Sequence, residues 1–166
     1  MTYHSLTRLN VLPLVKNRNK WETELGETFP DEWWDGAVDR INTSTSCARL
    51  GLIQFKIFHR LHYSKSKLAA IYPGVDDRCD RCALSPANHT HMFWSCPKLA
   101  NFWTKAFEVL SDVFSVRLEP SPQIAIFGVP PDFQLLTTKN SNMVAFATLV
   151  ALWMEVSDSS FCCHVA

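Results

Sequence analysis

Cys79-Asp80-Arg81-Cys82, followed by Thr90-His91-Met92-Phe93-Trp94-Ser95-Cys96-Pro97, is the stretch that decides how this chain folds. Two cysteines separated by two residues can bring both sulfurs to one ion through a tight turn. A second pair of ligands must then come from a segment that folds back. Residues Ala83 to Thr90 are long enough for that return, and Pro86 and Asn88 suit a turn. Cys79, Cys82, His91 and Cys96 together make a full tetrahedral ligand set for a structural Zn2+ of the Cys3His type. His91 and Cys96 are five apart, about 140° on an ideal helix, so they cannot both reach one ion from a straight helix. The chain must break near Cys96, and Pro97 at a first helical position supplies the break. His89 competes with His91 for the imidazole position, or else packs behind the ligands or lies at the surface. The bland alternative is three unrelated buried cysteines beside a surface histidine. Zinc takes thiolates and a neutral imidazole, so binding releases protons and weakens in acid. Such a site stabilises small zinc peptides by roughly 10–16 kcal/mol, and this segment is not expected to fold without its metal.

Around this motif, 166 residues with 47% hydrophobic content are enough for one domain with a substantial core. Aromatic residues are plentiful, with six Trp and eleven Phe, and Trp33 and Trp34 read as packing residues. Lys and Arg balance Asp and Glu at 16 each, so overall charge points to no partner. The six cysteines do not form the framework of a secreted mini-protein. Three belong to the motif, Cys47 lies in a helical pattern, and Cys162-Cys163 sit near the end. This usage suits a reducing, intracellular compartment, nucleus or cytoplasm, in a protein that is not secreted. Val11-Leu12-Pro13-Leu14-Val15 is too short and proline-interrupted for a signal core.

The expected fold class is mainly α: a small irregular helical domain organised around the Cys3His loop, with at most one short strand piece. Residues 1–20 show no clear period and read as a connector or a severed upstream piece. Pro30-Asp31-Glu32 reads as the first turn of a helix running to about Ser44, its carboxylates suited to the positive end. From Ser46 to Tyr63, Leu50, Ile53, Ile57 and Leu61 recur on one face, and Leu52, Phe55 and Phe58 widen it. That helix is expected to be largely buried. A short helix, Lys65 to Tyr72, ends at Pro73-Gly74. Pro97 to Ser115 is the strongest amphipathic pattern, with Leu99, Phe102, Trp103, Ala106, Phe107, Leu110, Val113 and Phe114 in one stripe. Ile124-Ala125-Ile126-Phe127, among the prolines of residues 119–133, is the strand-like piece. The domain is placed at 21–128, then a loop at 129–141, an apolar helix at 142–156 that is too short for a membrane span, and a disordered tail at 157–166.

No Asp or Glu occurs between Arg40 and Val75, where Arg49, Lys56, Arg60, Lys65 and Lys67 lie with His59 and His62. Arg49, Lys56 and Arg60 are spaced by seven and four, which predicts one basic stripe on a helix. Such a stripe beside a metal loop can follow a phosphate backbone. It can equally be a solvated face opposite the core.

Trp33-Trp34, Gln54-x-Lys56-x-x-His59-Arg60-x-His62-Tyr63, Cys79-Asp80-Arg81-Cys82 and Thr90-His91-Met92-Phe93-Trp94-Ser95-Cys96-Pro97-x-Leu99-x-x-Phe102-Trp103 together resemble a known family. It is the zinc-binding region at the carboxyl end of reverse transcriptases from LINE-type, non-LTR retrotransposons. The likeness runs from about Trp21 to Phe146, and its block from His59 to Trp103 is specific. The resemblance implies metal ligands at Cys79, Cys82, His91 and Cys96 and a basic segment at Lys56, His59 and Arg60. It also implies a distal segment of a larger polyprotein, whose polymerase and endonuclease precede this region in full-length relatives and are not part of this sequence. In those relatives the segment is thought to bind element or target nucleic acid.

No catalytic constellation stands out. Four protein ligands close a zinc shell that a catalytic site would keep open. There is no glycine-rich phosphate loop and no nucleophile turn. Asp76-Asp77 lacks the surroundings of a polymerase aspartate pair. The expected function is therefore non-catalytic: a zinc-binding module contacting RNA or single-stranded DNA through Arg49, Lys56, His59, Arg60, Lys65 and Lys67. Phe93 and Trp94 are expected to pack over the metal rather than stack on bases. The alternatives are a scaffold module docking on another protein or on upstream polymerase domains, and a truncated remnant without function. No membrane association is expected.

Overall fold

The computed structural model describes residues 11–43 and 45–129. They form a mostly helical fold, with no strand among the described residues. The helices are α1 (Val11–Leu25), α2 (Asp31–Thr43), α3 (Ala48–Phe58), α4 (Lys65–Ile71) and α5 (Ala100–Phe114). Two π-helical turns, His91–Ser95 and Gln123–Phe127, and a 3-10 turn, Pro97–Leu99, complete it.

α1 runs through positions 20 and 21, so the boundary expected there falls inside a helix, and Trp21 is 0% exposed. Gly26 ends α1 with φ +70°, a conformation glycine adopts without steric cost. Arg18 then fastens the corner: it pairs with Glu22 at 3.1 Å and Asp31 at 2.6 Å, and donates to the Phe29 carbonyl. Glu22 in turn accepts the Phe29 N–H at 2.9 Å. α2 starts where Asp31 and Glu32 suit a helix N-terminus.

α3 is shorter than its periodicity predicts. Leu61 N–H donates to the Lys56 carbonyl at 2.8 Å and Arg60 N–H to the Ile57 carbonyl at 2.9 Å. This Schellman pattern stops the helix, and Arg60 takes the left-handed position at φ +57°. Leu61 is consequently exposed rather than in line with Ile57. The expectation of a largely buried helix is also corrected. α3 buries Gln54, Ile57 and Phe58, while Leu52 and Phe55 face solvent.

Phe127 sits at the centre of the core. Ring centroids of Trp21, Trp33, Phe29, Phe58 and Trp34 lie 5.4, 5.5, 5.8, 6.0 and 6.1 Å from it. The strand-like Ile124–Phe127 is thus a buried helical turn, with every residue from Gln123 to Val129 inside. A short apolar run cannot by itself distinguish strand from buried helix. Trp103, Phe107 and Leu110 bury the inner face of α5, whereas Val113 is 65% exposed, off the stripe expected for it. Residues 130–141, the apolar segment Asn142 to Val156 and the tail lie outside the described residues. No helix among the described residues is long and apolar enough to cross a membrane.

Candidate metal centre and the basic segment

The first half of the candidate centre is a tight knuckle. Ala83 N–H returns to the Cys79 carbonyl at 2.7 Å, and Cys79 N–H donates to the Leu84 carbonyl at 2.9 Å. Ala83 takes φ +59° to close the turn. Across the return, Ala87 N–H donates to the Asp77 carbonyl at 2.9 Å. Asn88 then starts the second half: its side-chain oxygen accepts the His91 N–H at 2.8 Å and its carbonyl the Met92 N–H at 2.9 Å. The π-helical turn carries His91, and Cys96 is extended at φ −66°, ψ 124° just before Pro97. The break required between the third and fourth ligands is present where the proline places it.

The four ligand atoms of Cys79, Cys82, His91 and Cys96 lie within 4.8 Å of one another, and this group can hold a metal ion. Cys79 Sγ and Cys96 Sγ are 3.9 Å apart, and Cys82 Sγ is 3.3 Å from His91 Nε2. Tetrahedral coordination with ordinary metal–sulfur and metal–nitrogen bonds separates two sulfurs by about 3.8 Å and sulfur from nitrogen by about 3.6 Å. The group therefore fits an ion at its centre, and the sulfur separation is far too long for a disulfide, whose bond is about 2 Å. Cys79, His91 and Cys96 are buried, and Cys82 is half-buried.

The thiol chemistry agrees. Burial alone would raise the Cys79 thiol, but the backbone N–H groups of Cys82 and Arg81, with the His91 and Cys82 side chains, bring it down to about 6. Burial pushes Cys96 the other way, to about 11, and the neighbouring Cys82 thiol and Cys79 charge add to that rise. Crowded thiolates repel one another, and a divalent cation between them removes the penalty.

His91 and His89 separate cleanly. His91 Nε2 faces Cys82, whereas His89 Nε2 donates to the His62 carbonyl at 2.9 Å and its ring meets Trp21 edge-on. Burial holds the His89 imidazole down to about 4, helped by the Arg60 charge. His89 is therefore a packing residue beside the centre.

The knuckle is tied to the helices through Glu24 of α1. One Glu24 oxygen accepts both the N–H and the hydroxyl of Thr90, at 3.1 and 3.0 Å, and the other pairs with Arg60. The Arg60 guanidinium also lies over the Trp21 ring at 4.4 Å. On the far side, Trp103 Nε1 donates to the Phe93 carbonyl at 2.9 Å, so α5 holds the π-helical turn. Sequence reasoning missed Glu24 and Trp21 because their partners are 66 and 37 residues away. Phe93 is buried, and Trp94 packs on Trp103 and Phe107, as expected of residues close to the metal loop.

The basic residues are not one stripe. Arg49 and Lys56 are exposed on α3, but Arg60 is buried and turned inward, because helical spacing no longer applies beyond the left-handed stop. Lys65 pairs with Asp80 at 3.0 Å, close to the knuckle. Lys67 lies over the Tyr63 ring at 4.8 Å. His59, Arg60 and Lys67 do come together, with Lys20 and Glu24, in the lining of a groove of about 630 Å³. Burial lowers the His59 and His62 imidazoles, and for His62 the Lys56 and Lys67 charges act in the same direction. No family model matches this chain, and no solved structure matches it.

Proposed function

We propose that this chain is a non-catalytic, zinc-organised helical module that contacts RNA or single-stranded DNA, similar in kind to the carboxyl-terminal region of non-LTR retrotransposon reverse transcriptases. The observation that carries the metal half is the convergence of three sulfurs and one imidazole within 4.8 Å. Thiolate-rich tetrahedral sets favour zinc over hard cations, and four protein ligands leave no position for a reacting water. The ion supplies folding energy and a fixed loop. The nucleic-acid half draws its support from the exposed Arg49 and Lys56 and from the cations around the groove.

Two measurements test the reading. Intact mass under native, reducing conditions should show one bound zinc, and Cys82→Ser should lose both the metal and native helicity. A compact, metal-free wild type would overturn the metal half. Filter binding of a single-stranded oligonucleotide at two salt concentrations should show affinity falling steeply with salt, as phosphate contact requires. A second reading, docking on another protein, is favoured by Val109 and Val113, an exposed apolar pair one turn apart on α5. It predicts no oligonucleotide binding and a partner affinity that barely changes with salt.

A further inference from the structure

The groove between α1, the turn after α3, and α4 has a chemistry that the basic residues alone do not describe. Its lining includes Lys20, Arg60 and Lys67 against the single carboxylate of Glu24. Both oxygens of that carboxylate are engaged, by Arg60 and by Thr90. Two polar atoms on its lining residues, Arg60 Nη1 and Ser66 Oγ, are buried and have no hydrogen-bond partner within the protein. Both atoms are shut off from solvent, so the groove is read from its charged residues and from the rings beside it.

Exposed aromatic rings attach to this lining at two points. Tyr63, 57% exposed, lies under the Lys67 ammonium at 4.8 Å. Phe55, 43% exposed, packs against the His59 ring with centroids 4.2 Å apart and the planes tilted by 43°. Each of these two rings sits beside a residue of the groove wall, Lys67 and His59 respectively. Lys56, next to Phe55 in sequence, is close enough to His62 for its charge to be felt there together with that of Lys67. Cations that track a backbone, interleaved with rings that accept any base face, form the arrangement that binds unpaired strands. A duplex hides its base faces and has no use for such rings.

We infer that this groove is a single-strand site, in which Lys20, Lys67 and Lys56 meet successive phosphates while Tyr63 and Phe55 with His59 stack on unpaired bases. The inference rests on the nucleic-acid reading above and gives it a mode and residues. Phe55, Tyr63 and Lys20 enter here on exposure and placement. Arg60 becomes part of the floor that shapes the groove rather than a finger reaching outward.

Tyr63→Ala and Phe55→Ala change exposed rings and should leave helicity and metal content unchanged. Fluorescence anisotropy with the full chain, a labelled single-stranded 12-mer and the matching duplex tests the site. We expect each ring variant to weaken single-strand binding by about tenfold or more, with duplex binding weak throughout. Lys67→Gln should weaken single-strand binding and lower the slope of log affinity against log salt by about one. Running the assay with both RNA and DNA strands distinguishes the two sources of the same chemistry. If wild type binds the single strand and both ring variants match it, the stacking site is wrong while the broader reading stands. If wild type prefers the duplex, the inference also fails. If wild type binds neither, the nucleic-acid reading falls with it.

Discussion

Arg60 illustrates how one residue can carry several jobs whose requirements conflict. Its backbone occupies the left-handed position that glycine fills most easily, at a cost of order 1 kcal/mol or more for a side chain with Cβ. What offsets the cost is long-range: the carboxylate of Glu24 and the face of Trp21. Burial pulls the guanidinium down from its ordinary value, and the Glu24 charge opposes that shift. Removing the carboxylate leaves a buried cation without its partner and the Thr90 N–H without its acceptor. Glu24→Ala should therefore destabilise the fold by about 3 kcal/mol, the low end for a broken buried pair because Glu24 keeps some contact with water. Lys56→Ala on the exposed side of α3 should change stability by under about 0.5 kcal/mol. Urea denaturation of both variants checks this, and equal effects would refute the bridging role of Glu24. The ligand residues were legible at this scale, since Cys-x-x-Cys, a return of eight residues, and His-x4-Cys-Pro prescribe a geometry that the structure reproduces. The choice between His89 and His91 was not, because it depends on the His62 carbonyl and the Trp21 ring, which sequence spacing does not place.

Among the elements, α5 was readable from its apolar stripe, α2 from its acidic first turn and α4 from the Pro73-Gly74 stop after it. α5 and α2 lie where their patterns predict. α1 escaped notice because, among its described side chains, only Trp21 and Leu25 are apolar, too few to show a helical period. α3 was overextended because the pattern of apolar residues continues to Leu61 while the backbone turns away at Arg60. The turn Gln123–Phe127 looked like a strand because four apolar residues between prolines carry no period. Its role is to deliver Phe127 to five aromatic neighbours. Phe127→Ala should cost about 3–5 kcal/mol, the range for emptying an aromatic site in a well-packed core. Val113→Ala, on the exposed side of α5, should be close to neutral. Thermal melts of the two variants should differ widely, and similar melting temperatures would contradict Phe127's place at the centre of the core.

Over the whole molecule, the buried imidazoles set an acid limit. His89 titrates near 4 in the folded protein, below the value of about 6.5 expected in the unfolded chain. The unfolded state therefore takes up the proton first as pH falls. The stability tied to a neutral His89 is complete above about pH 6.5 and is lost progressively toward pH 4. His59 and His62 shift in the same direction. The His89→Gln variant should lose less stability than wild type between about pH 6.5 and 5, read as the change in urea midpoint. Parallel pH profiles would show that His89 does not contribute. The global arrangement, with α1 closing over both the knuckle and the turn after α3, lay beyond sequence reasoning because it depends on contacts between residues far apart in the chain.

The bond from the Thr90 amide to Glu24 has a consequence for watching this molecule breathe. Thr90 precedes His91 of the candidate metal centre, and its proton is held by a carboxylate belonging to the first helix. Deuterium can replace that proton only when the knuckle lifts from α1, so the exchange rate at this single position gauges how often the two halves part.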